Sequence, residues 1–378
     1  MDLTTINGLK EYLLTILFLD VDKIKLLSSA ANFTYRVNLQ QVYKGCMSII
    51  VKHAAPFVAN RQNISFDQER LKFEYQALTA LNDSEIISLN SIVQISKVYH
   101  YDSVYHILVL EDCGDLPTLM QLIDNKQLNT DMAPKLGYEL GYFLANFHRW
   151  ASGNEHLNKR PQNSVNQLPL TLLSLYAQSD IKYDKYLFSD EEKRLFSEVV
   201  KLQTKNTMND VETFIMGDFW IGNILIDIHS EMNTIQRIYI IDWEMARHGL
   251  PSNDIAHFCH QLFMNSYFDN CLLSDIVMSS FLRTYAKLFN LDIEYIKDAA
   301  IVLGALITVW AFNFDTDIQE IIQLGIEYIT KALATDHTWL KKSVLKHLIR
   351  TDYLDTNETS YNCSHEYHSN TFMDTDLK

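Results

Sequence analysis

Beyond residue 114 the chain carries almost unbroken helical periodicity, and one island of β-character interrupts it. Asn223-Ile224-Leu225-Ile226 and Arg237-Ile238-Tyr239-Ile240-Ile241 are apolar runs separated by the polar stretch 229–236, a pattern that predicts a hairpin. The first third has the opposite character. Residues 33–39 and 48–51 are short β-favouring runs with a turn signal at Tyr43-Lys44-Gly45, and 96–101 and 105–110 flank a polar Asp102-Ser103 turn. Between these pairs, Leu71, Tyr75, Leu78 and Leu81 recur at helical spacing within 66–81. An antiparallel sheet with one helix packed on it is the expected N-terminal unit. Past Cys113-Gly114-Asp115 helices follow: an amphipathic one over 135–150, and one that Ser189-Asp190-Glu191-Glu192 opens as a capping box and that runs to about residue 202. A further series covers 255–349, with Leu272, Val277, Phe281, Leu282 and Tyr285 as one buried stripe. The predicted fold class is α+β and bilobal: a small sheet lobe over 1–112, a large, mostly helical lobe over 113–350, and a tail over 351–378.

Composition narrows the function. A formal charge of −15, with no basic stripe to offset it, argues against nucleic-acid binding. The tail carries six acids against one lysine and is too polar to bury an apolar face, so disorder is expected there. Five cysteines, an odd number without a C-x-x-C pair, fit a reducing compartment, and the cytoplasm is the expected location. The apolar stretch 13–19 is too short for a signal segment and reads as one side of a helix. The longest apolar run, 299–312, falls short of a membrane span and suits a core helix. Neither membrane nor nucleic acid is an expected partner, and the oligomeric state is left open.

The chemistry gathers at the hairpin. Met216-Gly217-Asp218-Phe219-Trp220-Ile221-Gly222-Asn223 supplies an aspartate and, five residues on, an asparagine, while Asp242 ends the second strand within Ile241-Asp242-Trp243-Glu244. Antiparallel pairing sets the start of one strand beside the end of the other. Asn223 and Asp242 are therefore expected at one mouth, with Asp218 on the loop above it. Two oxygen ligands there suit Mg²⁺, and phosphoryl transfer needs a positioned metal, a base, and cations on the phosphates.

Taken in order, G-D-x-x-x-x-N-I-L followed by I-D-W-E resembles the catalytic core of the aminoglycoside phosphotransferase and choline kinase superfamily, kin to the protein kinases. The resemblance implies that Asp218 is the catalytic base and that Asn223 and Asp242 are metal ligands. The implied reaction is ATP- and Mg²⁺-dependent transfer of the γ-phosphate to a hydroxyl of a small molecule, such as a sugar, polyol or amino alcohol. The likeness continues upstream. Val51-Lys52 resembles the phosphate-pairing lysine, and Phe73-Glu74-Tyr75 the glutamate that orients it, with Glu69 on the same helix as the competing choice. Leu108-Val109-Leu110-Glu111-Asp112-Cys113-Gly114 resembles the hinge, which would set Glu111 and Cys113 beside the adenine. Leu144-Ala145-Asn146-Phe147-His148 is similar to the helix before the catalytic segment, and residues 249–256 to its continuation, where Asp254 is structural. Residues 51–58 are similar to the matching segment of methylthioribose kinases.

Two departures stand out. Met216 takes the place of the usual histidine before Gly217-Asp218, and a thioether cannot make the hydrogen bonds of an imidazole. The phosphate loop, Ser28-Ser29-Ala30-Ala31-Asn32-Phe33-Thr34, has no glycine, which limits close backbone approach to phosphates. Ser28, Ser29 and Asn32 are the side chains expected to donate there instead. These departures support one alternative, a catalytically weak nucleotide-binding scaffold. The other is a kinase acting on protein, but only eleven residues separate Asp242 from Asp254, which favours a small acceptor. Trp220 and Glu244 are the acceptor-site candidates, with core packing and a structural ion pair as their respective alternatives. The insert 153–210 is expected to shape the acceptor pocket, and the negative chain favours an acceptor that is neutral or cationic. His257-Phe258-Cys259-His260 offers no fourth ligand and is not read as a metal site.

Overall fold

The N-terminal unit opens with helix α1 (Ile6–Thr15) and strands β1 (Val21–Leu26), β2 (Phe33–Tyr43) and β3 (Cys46–His53). A short ribbon, β4 (Phe57–Val58) and β5 (Arg61–Ser65), leads to helix α2 (Arg70–Asn82), then to β6 (Val93–Ile95), β7 (Val98–Asp102) and β8 (Ile107–Glu111). Five of these strands form one antiparallel sheet in the order β1-β2-β3-β8-β7. The computed structural model describes residues 1–27, 31–88, 91–154, 188–208, 213–229, 231–289, 291–311 and 317–349. The readings for Ser28, Ser29, most of the insert and the tail lie outside the described residues.

Strand alternation decides which face each side chain takes. Ile49 and Val51 of β3, with Ile107 and Val109 of β8, pack against Leu9, Tyr12 and Leu13 of α1. Leu108 and Leu110 face the other way, into a core that runs through α2 and on into the helical lobe. Lys52 pairs with Leu108 in the β3–β8 register and so lies on the α2 side. Helix α2 starts at Arg70, not at residue 66, because the Arg70 guanidinium takes the carbonyls of Phe66 and Asp67 at 3.3 and 2.6 Å. Its buried face carries Leu71, Leu78 and Leu81 together with the carboxylate of Glu74.

The second lobe contains α3 (Leu119–Asp124), α4 (Met132–Ser152) and α5 (Asp190–Met208). The predicted capping box opens α5: Glu192 N–H donates to Ser189 Oγ at 3.3 Å and Ser189 N–H to Glu192 Oε2 at 2.7 Å. Strands β9 (Thr213–Ile215), β10 (Ile224–His229), β11 (Thr234–Ile240) and β12 (Arg247–Gly249) follow. β10 and β11 are the predicted hairpin, and both reach into the polar stretch between them, with a bulge between Asp227 and Ile228. β6 adds to β11 in parallel, so a strand from the first third of the chain completes the hairpin's sheet. The β9–β12 pair was not legible, since each strand has only three residues.

Helices α6 (Pro251–Phe268), α7 (Leu272–Leu288), α8 (Ile293–Val309), α9 (Ile318–Leu333) and α10 (His337–Leu340) complete the lobe. Four members of the predicted α7 stripe are buried, but Leu272 is 65% exposed, because it is the first residue of the helix. The apolar run from residue 299 lies in the core as α8, and among the described residues no helix is long and apolar enough to cross a membrane. Cys46, Cys113, Cys259 and Cys271 are free thiols among the described residues.

Helices α4 and α7 approach closely through two glycines. A Cβ on Gly141 would stand 2.5 Å from the Phe281 carbonyl oxygen, and one on Gly137 would run into the Val277 carbonyl. Alanine is preferred over glycine inside a helix by about 1 kcal/mol, but overpacking against backbone costs about 1–3 kcal/mol. The second effect should win. Gly137→Ala and Gly141→Ala are each expected to lower the urea-unfolding free energy, and a gain in stability would show that the helices can separate freely.

Candidate active site

The densest charge cluster lies where β3, α2 and the end of the hairpin meet. Lys52 Nζ donates to Glu74 Oε1 at 2.7 Å and to Asp242 Oδ1 at 2.6 Å. Glu69, the competing choice for the lysine's partner, instead pairs with Lys72 at the surface. Burial works against the Lys52 charge, but the carboxylates of Asp242, Glu74 and Glu244 outweigh it and raise the ammonium above its usual value. Burial drives the Glu74 carboxyl upward, with Lys52 opposing. Burial, and then the Asp242 charge, pushes Glu244 up to about 8. Asp242 is the open member of the group, with 36% of its side chain exposed. Its φ of 67° is left-handed, a strained backbone for a non-glycine residue and one that tends to occur at functional sites.

Asp218 and Asn223 form the other half. Asn223 lies in a single 3₁₀ turn, Ile221–Asn223, and its carbonyl accepts the Ile241 N–H at 3.0 Å, one residue before Asp242. Its side-chain Nδ2 donates to Asp218 Oδ2 at 2.9 Å and to the Asp218 carbonyl at 3.1 Å. His257 Nδ1 stands 3.4 Å from Asp218 Oδ1, so a histidine dismissed as a metal ligand borders the proposed base. No His, Cys, Asp and Glu group of three or more is placed to hold a metal among the described residues. Mg²⁺ held together with phosphates needs only one or two carboxylates, and the hard oxygens of Asp242 and Asn223 are of the right type.

The loop carrying Asp218 is held through its backbone. Met216 N–H and Gly217 N–H donate to the two oxygens of Asp254 at 2.9 and 2.7 Å. His148 Nε2 lies 3.0 Å from Asp254 Oδ2, and its Nδ1 is 2.7 Å from the Tyr285 hydroxyl. Gly217 has φ 81°, and a Cβ there would meet the Arg247 guanidinium and the Met245 carbonyl. The Met216 side chain is wholly buried. The carboxylate of Asp254 therefore braces the loop through its backbone, without using the side chain at residue 216. The order of residues 249–256 pointed to Asp254, but nothing in the sequence joined it to His148.

The remaining candidates separate. Trp220 is half-buried with its ring beside Gly222, and its backbone N–H donates to the Asp218 carbonyl at 3.0 Å. Trp243 is fully buried, edge-on to Phe147. Glu111 ends β8 and pairs with Lys97 at 3.3 Å, and the Cys113 thiol lies 3.3 Å from the Ser96 hydroxyl. The amide of Asn32 is turned inward: Oδ1 accepts from Arg70 Nε at 2.8 Å, and Nδ2 donates to Glu244 Oε2. Arg70 is the residue that sequence reasoning missed. It opens a helix among polar neighbours, where an arginine ordinarily stays in solvent.

The Asp254 node carries a pH signature. Burial raises its carboxyl, but the His148 contact and the two N–H donors outweigh this and hold it below the usual value. Its stabilisation is thus fully present above about pH 4 and is lost as pH falls through the lower folded-state value. Asp254→Ala should cost about 3 kcal/mol at neutral pH and lower turnover. The gap to the parent should narrow in acid unfolding. An equal gap at all pH values would contradict the assignment.

Comparison with known proteins gives this geometry a family. Residues 24–279 match the model described as phosphotransferase enzyme family. The chain is 31% identical over 342 residues to a 4-hydroxytryptamine kinase of Psilocybe cyanescens, covering 88% of this chain and 94% of that one. It is 30% identical over 344 residues to the 4-hydroxytryptamine kinase of Psilocybe cubensis, covering 89% and 93%. Among solved structures, a choline/ethanolamine kinase family protein from Mesorhizobium loti superposes with a TM-score of 0.51 at 11% identity, covering 90% of this chain and 98% of that one. The antiparallel N-terminal sheet and the helical second lobe are the setting in which these matches fall, and the chain belongs to the phosphotransferase enzyme family.

Proposed function

We propose that the chain transfers the γ-phosphate of ATP, with Mg²⁺, to a hydroxyl of a small hydroxylated amine. The observation that carries the reading is the pairing of one buried cation with two carboxylates where β3, α2 and the hairpin meet: Lys52 bonded to Glu74 and Asp242. Lys52, fixed by Glu74, would meet the phosphates. Asp242 and the Asn223 amide oxygen would hold Mg²⁺. When bound, the ion would shield charge on the transferring group. Asp218 is 31% exposed at its side chain and is held from one side by Asn223, so it would accept the acceptor's hydroxyl proton. Glu111 and Cys113 remain the proposed adenine side. Trp220, close to Asp218, remains an acceptor-side candidate.

The acceptor class rests on two lines of support. The relatives at 31% and 30% identity are named for 4-hydroxytryptamine, a hydroxyl-bearing amine. The chain's charge of −15 favours a cationic small molecule over an anionic one. Turnover with 4-hydroxytryptamine, choline, amino sugars, homoserine and methylthioribose tests the range.

Asp218→Asn should leave calorimetric nucleotide binding nearly unchanged and lower turnover by about 10²–10⁴-fold, the scale of a lost general base. Asp242→Ala should weaken Mg²⁺·ATP binding as well as rate. Parent-like turnover in both variants would remove the two carboxylates from the mechanism, and a parent that binds no nucleotide would overturn the ATP reading.

A further inference from the structure

The glycine-free phosphate loop poses a physical question: what fixes its conformation near a nucleotide? Its described end, Ala31 and Asn32, is held by a buried guanidinium. Arg70 is 1% exposed, and its Nη2 donates to the carbonyls of Ala31 at 3.3 Å and Ala55 at 3.1 Å. Nη1 takes the Phe66 and Asp67 carbonyls, and the group lies 4.5 Å over the Phe66 ring. These contacts alone would make Arg70 a local scaffold. Its Nε does something else: it donates to Asn32 Oδ1 at 2.8 Å, and Asn32 passes the bond on from Nδ2 to Glu244 Oε2. Arg70 Nε is itself 3.8 Å from that carboxylate oxygen. Glu244 follows Asp242 by two residues.

We propose that Arg70, Asn32 and Glu244 form a strut between the phosphate loop and the Asp242 segment, so that the grip on the phosphates and the placement of the metal-side aspartate are set together. All three are positioning residues. The inference rests on the ATP reading above and assigns Asn32 to holding the loop, not to donating to phosphate. Its chemistry is directional. Asn32 is the one member that offers both an acceptor to the guanidinium and a donor to the carboxylate. A buried glutamate facing this amide ties Asn32 to the Asp242 side without the backbone freedom of glycine. In a buried network each member is worth more than its pairwise bonds suggest, and removing Asn32 takes away the bond from Arg70 Nε and the bond to Glu244 together.

The directionality supplies the test. Asn32→Asp keeps the acceptor for Arg70 but sets a second carboxyl against Glu244. Adding Glu244→Gln returns a donor, reverses the bond, and restores the parent's formal charge. The single Asn32→Asp change should raise the KM for ATP by about tenfold, the effect of a coupled buried pair, with the acceptor KM within about twofold. The double exchange should recover most of that loss. A merely structural role would shift stability in each variant without this split between the two KM values. Urea unfolding of the parent, Asn32→Asp, Glu244→Gln and the double variant needs no nucleotide and measures the Asn32–Glu244 coupling directly. Non-additive losses are expected, and the double variant should be more stable than the sum of the singles implies. Additive losses, or an unchanged KM for ATP in Asn32→Asp, would overturn the strut. Nucleotide binding by the parent is measured first and tests the ATP reading separately.

Discussion

The site depends on the burial of one ammonium group. Lys52 lies near the end of a strand that buries Ile49 and Val51 on its other face, and its side chain crosses to a helix and to the hairpin of the other lobe. A buried cation is tolerated only when it is paired, and removing one partner from such a pair costs about 3–5 kcal/mol. The constraint runs in both directions. Glu74 is fully buried on the core face of α2 because Lys52 is there to meet it. The two lobes are therefore joined at the point where nucleotide chemistry is proposed, and what fixes the fold also places the site.

A second charge, Asp254, does for the Asp218 loop what Lys52 does for the junction of β3, α2 and the hairpin. It accepts two backbone N–H groups from the loop and lies beside His148, and both side chains are buried. Backbone bonding makes the loop's geometry independent of the side chain at residue 216. Met216 then fills core volume, and its flexible thioether suits an irregular gap. The departure at this position is thus accommodated by a brace that does not use its side chain. The Arg70–Asn32–Glu244 strut would serve the glycine-free phosphate loop in the same way.

The sequence made legible whatever depends on short-range pattern. The long strands of the sheet, helix α2, the capping box of α5 and the hairpin all follow from period and turn chemistry. The Lys52–Glu74 pair followed from motif order, and the structure brings the two side chains together at 2.7 Å. What could not be read was pairing across distance. β6 meets β11 from 145 residues away (Val93 opposite Ile238), the three-residue strands β9 and β12 have no period to show, and Asn32 meets Glu244 from 212 residues away. Arg70 carried no local signal, since a polar residue on a helix is ordinarily solvated, and the only signal at His257 was of metal type, so packing alone reveals that Arg70 is buried and that His257 borders Asp218. Leu272 shows the reverse failure: the period continued to the helix end, but the core did not.

The central claim is that the Asp218 carboxylate sits where an acceptor hydroxyl meets the γ-phosphate. ³¹P NMR of a reaction containing the protein, ATP, Mg²⁺ and 4-hydroxytryptamine tests it most directly, because it distinguishes the bond formed. A phosphate-monoester resonance on the small molecule, growing in step with ADP and absent from Asp218→Asn, is expected. ADP accompanied only by inorganic phosphate, or phosphate found only on protein, with every acceptor offered would contradict it.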